Sequence, residues 1–244
     1  MSLTYLTFDQ DWAPDWTVRA VLERLDSASL AGTFFATHQS PVLEELRKSE
    51  RIELGGHPNF LPGSSHGENI ESVVQFVKKL VPEAIGVRAH CLIEGTPQLM
   101  AYGKAGIQYD ASDLRHGAEG LEPWLSWTGV YRIPIFFEDD VQLQLGLPAE
   151  LSALNWTGDG LKVFNFHPIL IALNAADLSQ YVSLKEKLSS EGRRLPDATE
   201  TDVHMFRQNV RPGIGDLFEA LTAVLQRQST RCGGMLRTLL PPVG

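Results

Sequence analysis

The stretch Leu3–Trp12, which reads LTYLTFDQDW, decides both the fold and the chemistry of this chain. It predicts a buried strand that ends in two carboxylates, Asp9 and Asp11. Their spacing of two places both side chains on the same side of an extended chain. Like charge and loss of water both penalise such a pair at the end of a buried strand. A divalent metal is the usual compensation, so the other ligands must be sought elsewhere in the sequence.

Strand and helix patterns alternate along the rest of the chain. The predicted strands are Leu3–Phe8, Thr33–Ala36, Ile52–Gly55, Ala84–Arg88, Gly106–Tyr109, Val130–Phe136, Val141–Leu145 and Leu161–Phe166. The predicted helices are Asp15–Leu30, one opened by Ser40-Pro41, Asn69–Leu80, one opened by Thr96-Pro97, Asp177–Ser190 and Ile214–Gln228. The tail Met235–Leu240 is either a last strand or a segment that packs on the sheet.

Repeated strand–helix units indicate an α/β fold with a parallel sheet. About seven strands fit a closed or nearly closed barrel, and an open doubly wound sheet is the competing architecture. The glycine-rich motifs of nucleotide-binding sheets are absent from the sequence. We expect one domain that spans residues 1–244.

The composition excludes several classes of function. The 244 residues carry a formal net charge of −9, which disfavours nucleic acid as a partner. No apolar run is long enough to span a membrane. The two cysteines have no metal-site spacing and favour free thiols in a reducing compartment. No basic segment followed by an apolar stretch opens the sequence, so we expect a cytoplasmic protein without a signal peptide.

Polar side chains gather where the predicted strands end. In parallel α/β folds these ends meet at one edge of the sheet, where ligands bind. A single histidine there is commonly structural, but several strand ends that finish in charged or imidazole groups indicate a site. These residues are Asp9, Asp11, His38, His57, Arg88, His90, Asp110 and His167.

Five short motifs, in this order, resemble those of the polysaccharide deacetylases, the NodB-homology carbohydrate esterases. They are TFDQD at 7–11, GGHPNF at 55–60 continuing to SSHG at 64–67, GVRAH at 86–90, YDAS at 109–112 and FNFHP at 164–168. The resemblance implies a distorted seven-stranded (β/α) barrel. It also implies one divalent metal, commonly zinc, that serves the hydrolysis of N-acetyl or O-acetyl groups on sugars.

The resemblance assigns roles to residues at matching positions. Asp9 would be the general base, and Arg88 would pair with it and hold it ionised. The fifth motif resembles the family's Leu-x-His element, so His167 would be the general acid. Asp110 would support that histidine, although a turn aspartate is the alternative. Asp11 would be a metal ligand, with an N-capping aspartate as the alternative.

The remaining metal ligands would be His57 and His66. The family usually places two histidines four residues apart, whereas these are nine positions apart, with two prolines and a glycine between them. A loop can still bring both imidazoles to one metal. Two histidines and a carboxylate suit zinc first, and they also accept cobalt, nickel, manganese or iron.

Substrate contacts are expected from His38, Asn59, His90 and Trp127. Trp124 and Trp127 could together form a wall against which a sugar stacks. The acidic run Glu138–Asp140 could bind substrate hydroxyls, but it reads first as a solvated turn.

Three functions remain open on the sequence. The first is a metal-dependent hydrolase that removes acetyl groups from an acetylated sugar, with a surface-polysaccharide precursor as the expected substrate. The second is a sugar-binding barrel that has lost catalysis. The third is a metal-dependent hydrolase of a non-sugar amide C–N bond. No serine or cysteine lies in a nucleophile motif, and the oligomeric state is not predicted.

Overall fold

The computed structural model describes residues 3–242 and shows one mainly parallel sheet flanked by helices. The strands are β1 (Thr4–Asp9), β2 (Gly32–Ala36), β3 (Ile52–Gly56), β4 (Gly86–Val87), β5 (Tyr109–Leu114), β6 (Trp124–Leu125), β7 (Tyr131–Ile135), β8 (Phe137–Glu138), β9 (Lys162–Phe166) and β10 (Cys232–Gly234). The helices are α1 (Asp15–Ala28), α2 (Val42–Lys48), α3 (Ile70–Leu80), α4 (Thr96–Lys104), α5 (Asp139–Gln144), α6 (Pro168–Leu173), α7 (Ser179–Ser190), α8 (Glu200–His204) and α9 (Ile214–Arg227).

The sheet curls back on itself as a distorted barrel. Its strand order is β6-β7-β5-β4-β3-β2-β1-β9-β8, β10 pairs with β1, and the β6–β7 pair is antiparallel. Within residues 3–242 the pairing does not run round into a closed ring. However, β7 and β8 lie near opposite ends of this order, and a single residue, Phe136, connects them. The Phe136 N–H donates to Val163 O in β9 at 2.9 Å, so the two ends of the sheet come together. The predicted α/β barrel is therefore confirmed.

Alternation along β1 sends its side chains to two different environments. Phe8 points outward to the helices, where its ring stacks on Phe34 at 4.6 Å and meets Phe218 edge-on at 5.8 Å. Tyr5 lies on the opposite face in a second apolar cluster, inside the sheet. The same inner face continues through Thr7 to Asp9, so one strand joins the apolar interior to the polar edge.

Most predicted elements appear with shifted ends, and one is wrong. Helix α3 begins after Asn69, whose Oδ1 accepts a hydrogen bond from Ser72 N at 2.9 Å. The predicted strand Val141–Leu145 instead lies largely in α5, because Asp139 and the residues after it turn into a helix directly behind β8. The tail forms a short 3₁₀ helix, Leu236–Leu239, and Leu236 packs into the apolar cluster inside the sheet.

The aromatic cluster around Phe8 gives a test of the fold. Replacing Phe8 with alanine should lower the free energy of unfolding by about 3–5 kcal/mol, because the ring is fully buried and its cavity cannot collapse. Urea denaturation of wild type and variant measures the difference. The exposed Met100→Ala is the matched control, with a change below about 0.5 kcal/mol. A loss below about 1 kcal/mol for Phe8→Ala would contradict this packing.

Candidate metal centre and active site

Five ionisable side chains meet at the carboxyl-terminal edge of the sheet. They come from β1 or from the turns that follow β1, β3, β4 and β9. They are Asp9, Asp11, His57, His90 and His167. The parallel direction of these strands is what delivers residues so distant in sequence to one place.

The turn after β1 holds Asp11 in an uncommon backbone conformation. Asp11 and Trp12 have φ of 43° and 55°, in the left-handed region that costs free energy for residues other than glycine. Gln10 anchors this turn. Its side-chain oxygen accepts a hydrogen bond from Thr37 N at 3.1 Å, and its backbone N–H donates to Phe35 O at 3.0 Å. The conformation turns the Asp11 carboxylate back over the sheet edge.

Asp11, His57 and His90 form a group suited to a metal ion. Asp11 Oδ1 lies 2.9 Å from His57 Nε2 and 3.0 Å from His90 Nδ1, and the three ligand atoms lie within 4.8 Å of one another. Both ring nitrogens of buried His57 lack a hydrogen bond among the described residues, despite the short approach to Asp11. Such an orphaned imidazole facing a carboxylate fits the nitrogen and oxygen ligands of a divalent transition metal.

The protonation equilibria at Asp11 favour the ligand form. Burial alone would raise the pKa of this carboxyl. Electrostatic attraction to His57 and close contacts with His167, His57 and His90 outweigh burial and hold the pKa well below its usual range. Asp11 is therefore an anion at neutral pH, as metal binding requires.

His66 lies outside this group, which differs from the predicted ligand set. Its Nδ1 accepts a hydrogen bond from Asn59 N at 3.1 Å, and its ring stacks on Phe76 at 4.3 Å. Burial lowers the pKa of His66 to about 4, and the neutral ring helps to fold the loop after β3. Asn59 has a similar role, because its side-chain oxygen accepts from Leu61 N at 3.0 Å. His90, which was expected to contact the substrate, is instead the third member of the group with Asp11 and His57.

The predicted pairing of Arg88 with Asp9 is present in the structure. Arg88 Nη1 lies 3.2 Å from Asp9 Oδ1, and both side chains are buried. Asn165, which sequence reasoning missed, donates from Nδ2 to Asp9 Oδ2 at 2.8 Å. Asp9 Oδ1 also lies 3.7 Å from His57 Nδ1, so the carboxylate stands beside the metal group without belonging to it.

His167 is held by Asp139 rather than by Asp110. Asp139 Oδ1 lies 2.6 Å from His167 Nδ1, and Asp139 Oδ2 accepts from His167 N at 2.8 Å. Burial would lower the pKa of His167, but the charge of Asp139 and hydrogen bonds to Asp11 and Asp139 raise it well above its usual value. Asp139 is fully buried, so the expected solvated acidic turn is wrong at this residue. His167 Nε2 lies 3.5 Å from Asp11 Oδ2.

Asp110 supports the loop that carries His90. Its carboxylate lies 3.0 Å from Arg132 Nε and accepts from Ser112 Oγ at 2.6 Å. Ser112 Oγ in turn accepts from Ala89 N at 2.9 Å, one residue before His90. The contacts of Asp110 therefore act on the third member of the metal group and not on His167.

The predicted substrate residues separate into two places. His38 hydrogen-bonds Thr37 through its Nδ1 at 3.1 Å and lines a groove together with Trp12. Trp127 is 75% exposed and takes no part in the cavities described below. Trp12, which sequence reasoning did not select, meets the His90 ring edge-on at 5.3 Å. Its position directly after Asp11 was the available signal.

Two cavities flank Asp11 and Trp12. The polar groove has a volume of about 740 Å³ and the apolar pocket about 190 Å³. The groove is lined by Trp12, Pro14, Asp15, Trp16, Arg19, His38, Gln39, Ser40, Pro41, Ser65, Arg194 and Pro196. The pocket is lined by Asp11, Asp140, His167, Ile169, Leu170, Leu178, Tyr181 and Val182.

Comparison with solved structures places this geometry among known folds. A polysaccharide deacetylase from Bordetella bronchiseptica (WbmS), described as involved in O-antigen biosynthesis, shares 30% identity and superposes with a TM-score of 0.79. The match covers 91% of this chain and 90% of that one.

None of the helices in the described part of the chain combines the length and apolar character of a membrane span.

More distant structures match over most of the chain at lower similarity. A polysaccharide deacetylase from Mycobacterium smegmatis has 14% identity, a TM-score of 0.48 and coverage of 93% and 91% of the two chains. A family 4 carbohydrate esterase from Streptomyces lividans, in complex with acetate, has 13% identity, a TM-score of 0.45 and coverage of 86% and 97%.

No curated protein matches the sequence significantly. The family described as WbmS-like polysaccharide deacetylase matches residues 6–185, well over half of the chain. Together with the fold, this match shows that the chain belongs to the WbmS-like polysaccharide deacetylase family.

Proposed function

We propose that this protein is a metal-dependent hydrolase that removes acetyl groups from an N-acetylated or O-acetylated sugar. The observation that carries the proposal is the metal group Asp11–His57–His90, with Asp9 on one side and His167 on the other. Membership of a deacetylase family supports the same reaction. The description of the Bordetella relative supports surface-polysaccharide biosynthesis as the setting.

Asp11, His57 and His90 would hold the metal. Two imidazoles and one carboxylate leave open positions for substrate, as in catalytic zinc sites. A bound divalent ion would supply Lewis-acid chemistry at the acetyl carbonyl and would favour the ionisation of water. We favour zinc for this donor set, and cobalt, nickel, manganese and iron remain chemically compatible with it.

Asp9 would act as the general base that takes a proton from the attacking water. The contact with Arg88 Nη1 at 3.2 Å favours the ionised form that a base needs. The hydrogen bond from Asn165 at 2.8 Å fixes the second carboxylate oxygen. Because both contacts are buried, the carboxylate is oriented before substrate arrives.

His167 would act as the general acid that protonates the leaving amine or alkoxide. Its raised pKa, caused chiefly by Asp139, keeps the imidazole protonated at neutral pH despite its burial. Asp139 binds Nδ1 at 2.6 Å and thereby leaves the Nε2 proton facing Asp11 and the apolar pocket. Opposite proton roles for Asp9 and His167 match the order of a hydrolysis.

Metal content tests the ligand set without knowledge of the substrate. Wild type loaded with zinc should retain about one equivalent after gel filtration. Asp11→Ala, His57→Ala and His90→Ala should each weaken zinc binding by more than about 100-fold, because each removes a donor atom. Inductively coupled plasma mass spectrometry and zinc titration measure the two quantities.

His66→Ala is the matched control for the metal experiment. It should retain zinc at wild-type stoichiometry, because the His66 ring is engaged with Asn59 and Phe76. Loss of zinc from His66→Ala together with retention by His90→Ala would restore the ligand set predicted from the sequence. Absence of zinc in the wild type would favour a barrel without catalysis.

Leaving-group chemistry separates the proposed acid from the proposed base. p-Nitrophenyl acetate releases a stable anion that needs no proton, whereas an acetylated methyl glycoside releases an alkoxide. His167→Ala should lower kcat/KM for the glycoside by about 10²–10⁴-fold and for the aryl ester by less than about tenfold. Asp9→Asn should lower both by about 10²–10⁴-fold, because both reactions need the base.

Acetate release and p-nitrophenolate absorbance measure the two reactions. Equal losses for both substrates in His167→Ala would contradict the acid role. Full activity of Asp9→Asn would contradict the base role.

A further inference from the structure

One wall of the apolar pocket beside Asp11 and His167 is unlike the wall of a saccharide site, whereas Asp11, Asp140, His167 and Tyr181 line the rest. Ile169, Leu170 and Leu178 line that wall as aliphatic side chains that offer no hydrogen-bond partner. A sugar hydroxyl placed against them would lose water without compensation. A hydrocarbon group suits these walls instead.

The polar groove on the other side of the Asp11–Trp12 turn has the complementary chemistry. The indoles of Trp12 and Trp16 line it together with polar groups of His38, Gln39 and Arg194. The Trp16 indole is fixed, because its Nε1 donates to Ala198 O at 2.9 Å. Aromatic faces bordered by polar groups suit a sugar ring, so the saccharide lies on this side and the acyl group enters the apolar pocket.

The pocket is larger than an acetyl group requires. Its volume of about 190 Å³ exceeds that of a cavity of about 150 Å³ that holds benzene, whereas acetyl brings a single methyl group. Val182 on α7 lines this pocket and is 49% exposed, so its apolar surface is available to a ligand. Tyr181 also lines the pocket, and burial raises the pKa of its hydroxyl to about 12, so that wall stays uncharged.

We propose that the apolar pocket binds acyl chains longer than acetyl as well as acetyl itself, so that the hydrolase also accepts sugars that carry an acyl group of about four to six carbons. This inference rests on the proposed hydrolase function and names its acyl specificity. The reaction is unchanged: water adds to the acyl carbonyl, the C–N or C–O bond breaks, and the leaving atom receives a proton.

A chain-length series of p-nitrophenyl esters tests the proposal on the zinc-loaded protein. Acetate, propionate, butyrate and hexanoate esters are compared by kcat/KM, each divided by its rate of hydrolysis by hydroxide. Each added methylene that enters the pocket should raise the ratio about threefold to fourfold, so butyrate should exceed acetate about tenfold. Val182→Trp should lower the butyrate-to-acetate ratio at least about fivefold by occupying the pocket.

Glu186→Trp is the matched control, because it places the same ring on α7 at an exposed position outside the pocket. It should keep the wild-type ratio. Acetate preferred over all longer esters would overturn the inference and leave the deacetylase proposal intact. Equal ratios in Val182→Trp and Glu186→Trp would also overturn it. No hydrolysis of any ester would count against the proposed function itself.

Asn165 lies two residues before His167, at the position where the family's Leu-x-His element has leucine. Its amide is fully used inside the sheet. Oδ1 accepts from Arg88 Nη1 at 2.5 Å, and Nδ2 donates to Asp9 Oδ2 at 2.8 Å and to Glu138 Oε1 at 3.3 Å. Turning the amide over would set its NH₂ against the guanidinium and its oxygen against the carboxylate, so its orientation is fixed.

We infer that Asn165 is a positioning residue for the general base Asp9. Arg88 alone contacts only Oδ1, so the carboxylate could rotate about that contact without the second hydrogen bond. Glu138, behind Asn165, has its pKa raised to about 8 by burial and by the nearby charges of Asp140 and Asp9. A neutral Glu138 leaves a single carboxylate charge for Arg88 to balance.

A double-mutant cycle with p-nitrophenyl acetate tests this role. Asn165→Leu should lower kcat about 10–100-fold with KM and zinc content within twofold of wild type, because the base loses the hydrogen bond that orients it and Arg88 loses one acceptor, while the metal group keeps its ligands. In the Asp9→Asn background the same substitution should change kcat less than threefold. An equal fall in both backgrounds, or a loss below threefold in the wild type, would overturn the role.

A second variant keeps this test decisive if leucine disturbs folding. Asn165→Asp has nearly the same shape but, as a carboxylate, replaces the N–H donor to Asp9 with a negative charge. It should lower kcat at least as much as leucine with unchanged zinc content. Wild-type kcat in Asn165→Asp would overturn the role.

Discussion

The buried contact between Arg88 and Asp9 is the interaction on which the rest of the site depends. Both side chains are removed from water, so each charge relies on the other and on hydrogen bonds for compensation. Removing one partner from such a pair commonly costs about 3–5 kcal/mol, since the remaining charge stays buried. Thr7 and Asn165 add to the compensation with oxygens 2.9 and 2.5 Å from Arg88 Nη1. The Asp9 carboxylate, the proposed base, is therefore fixed by the fold itself.

The buried polar layer of Arg88, Asp9, Thr7 and Asn165 divides the inside of the sheet into two regions. Apolar side chains, among them Tyr5, Tyr109 and Phe35, lie on the side of the strands' amino ends. The Arg88 guanidinium stacks over the Phe35 ring, 4.5 Å from its centroid. On the other side lie the metal group and His167. The apolar packing holds the guanidinium in place, and the guanidinium holds the carboxylate. Stability and function are thus linked through one side chain that belongs to both.

The sequence predicted what depends on local pattern. Strand Thr4–Asp9 and its terminal carboxylates follow from alternation and from the place where the strand ends. His66 was predicted as a metal ligand but lies outside the metal group, because residue spacing does not show whether an imidazole faces a metal or its own loop. Asp139 was missed because three consecutive acids resemble a solvated turn, and its burial depends on His167, 28 residues away. Val141–Leu145 was predicted as a strand, but most of it lies in α5, the helix that begins at the buried Asp139.

The residue between the two carboxylates explains how one short turn serves both the metal group and the polar groove. Gln10 is buried and binds the end of β2, so it fixes the turn rather than merely spacing the aspartates. With Gln10 anchored, Asp11 and Trp12 adopt positive φ at a cost of roughly 1–3 kcal/mol each. That strain places the Asp11 carboxylate between His57 and His90 and sets the Trp12 ring against His90. Metal ligand and groove wall are consequently fixed to each other, which suits a site where a sugar must lie at one distance from the reacting bond.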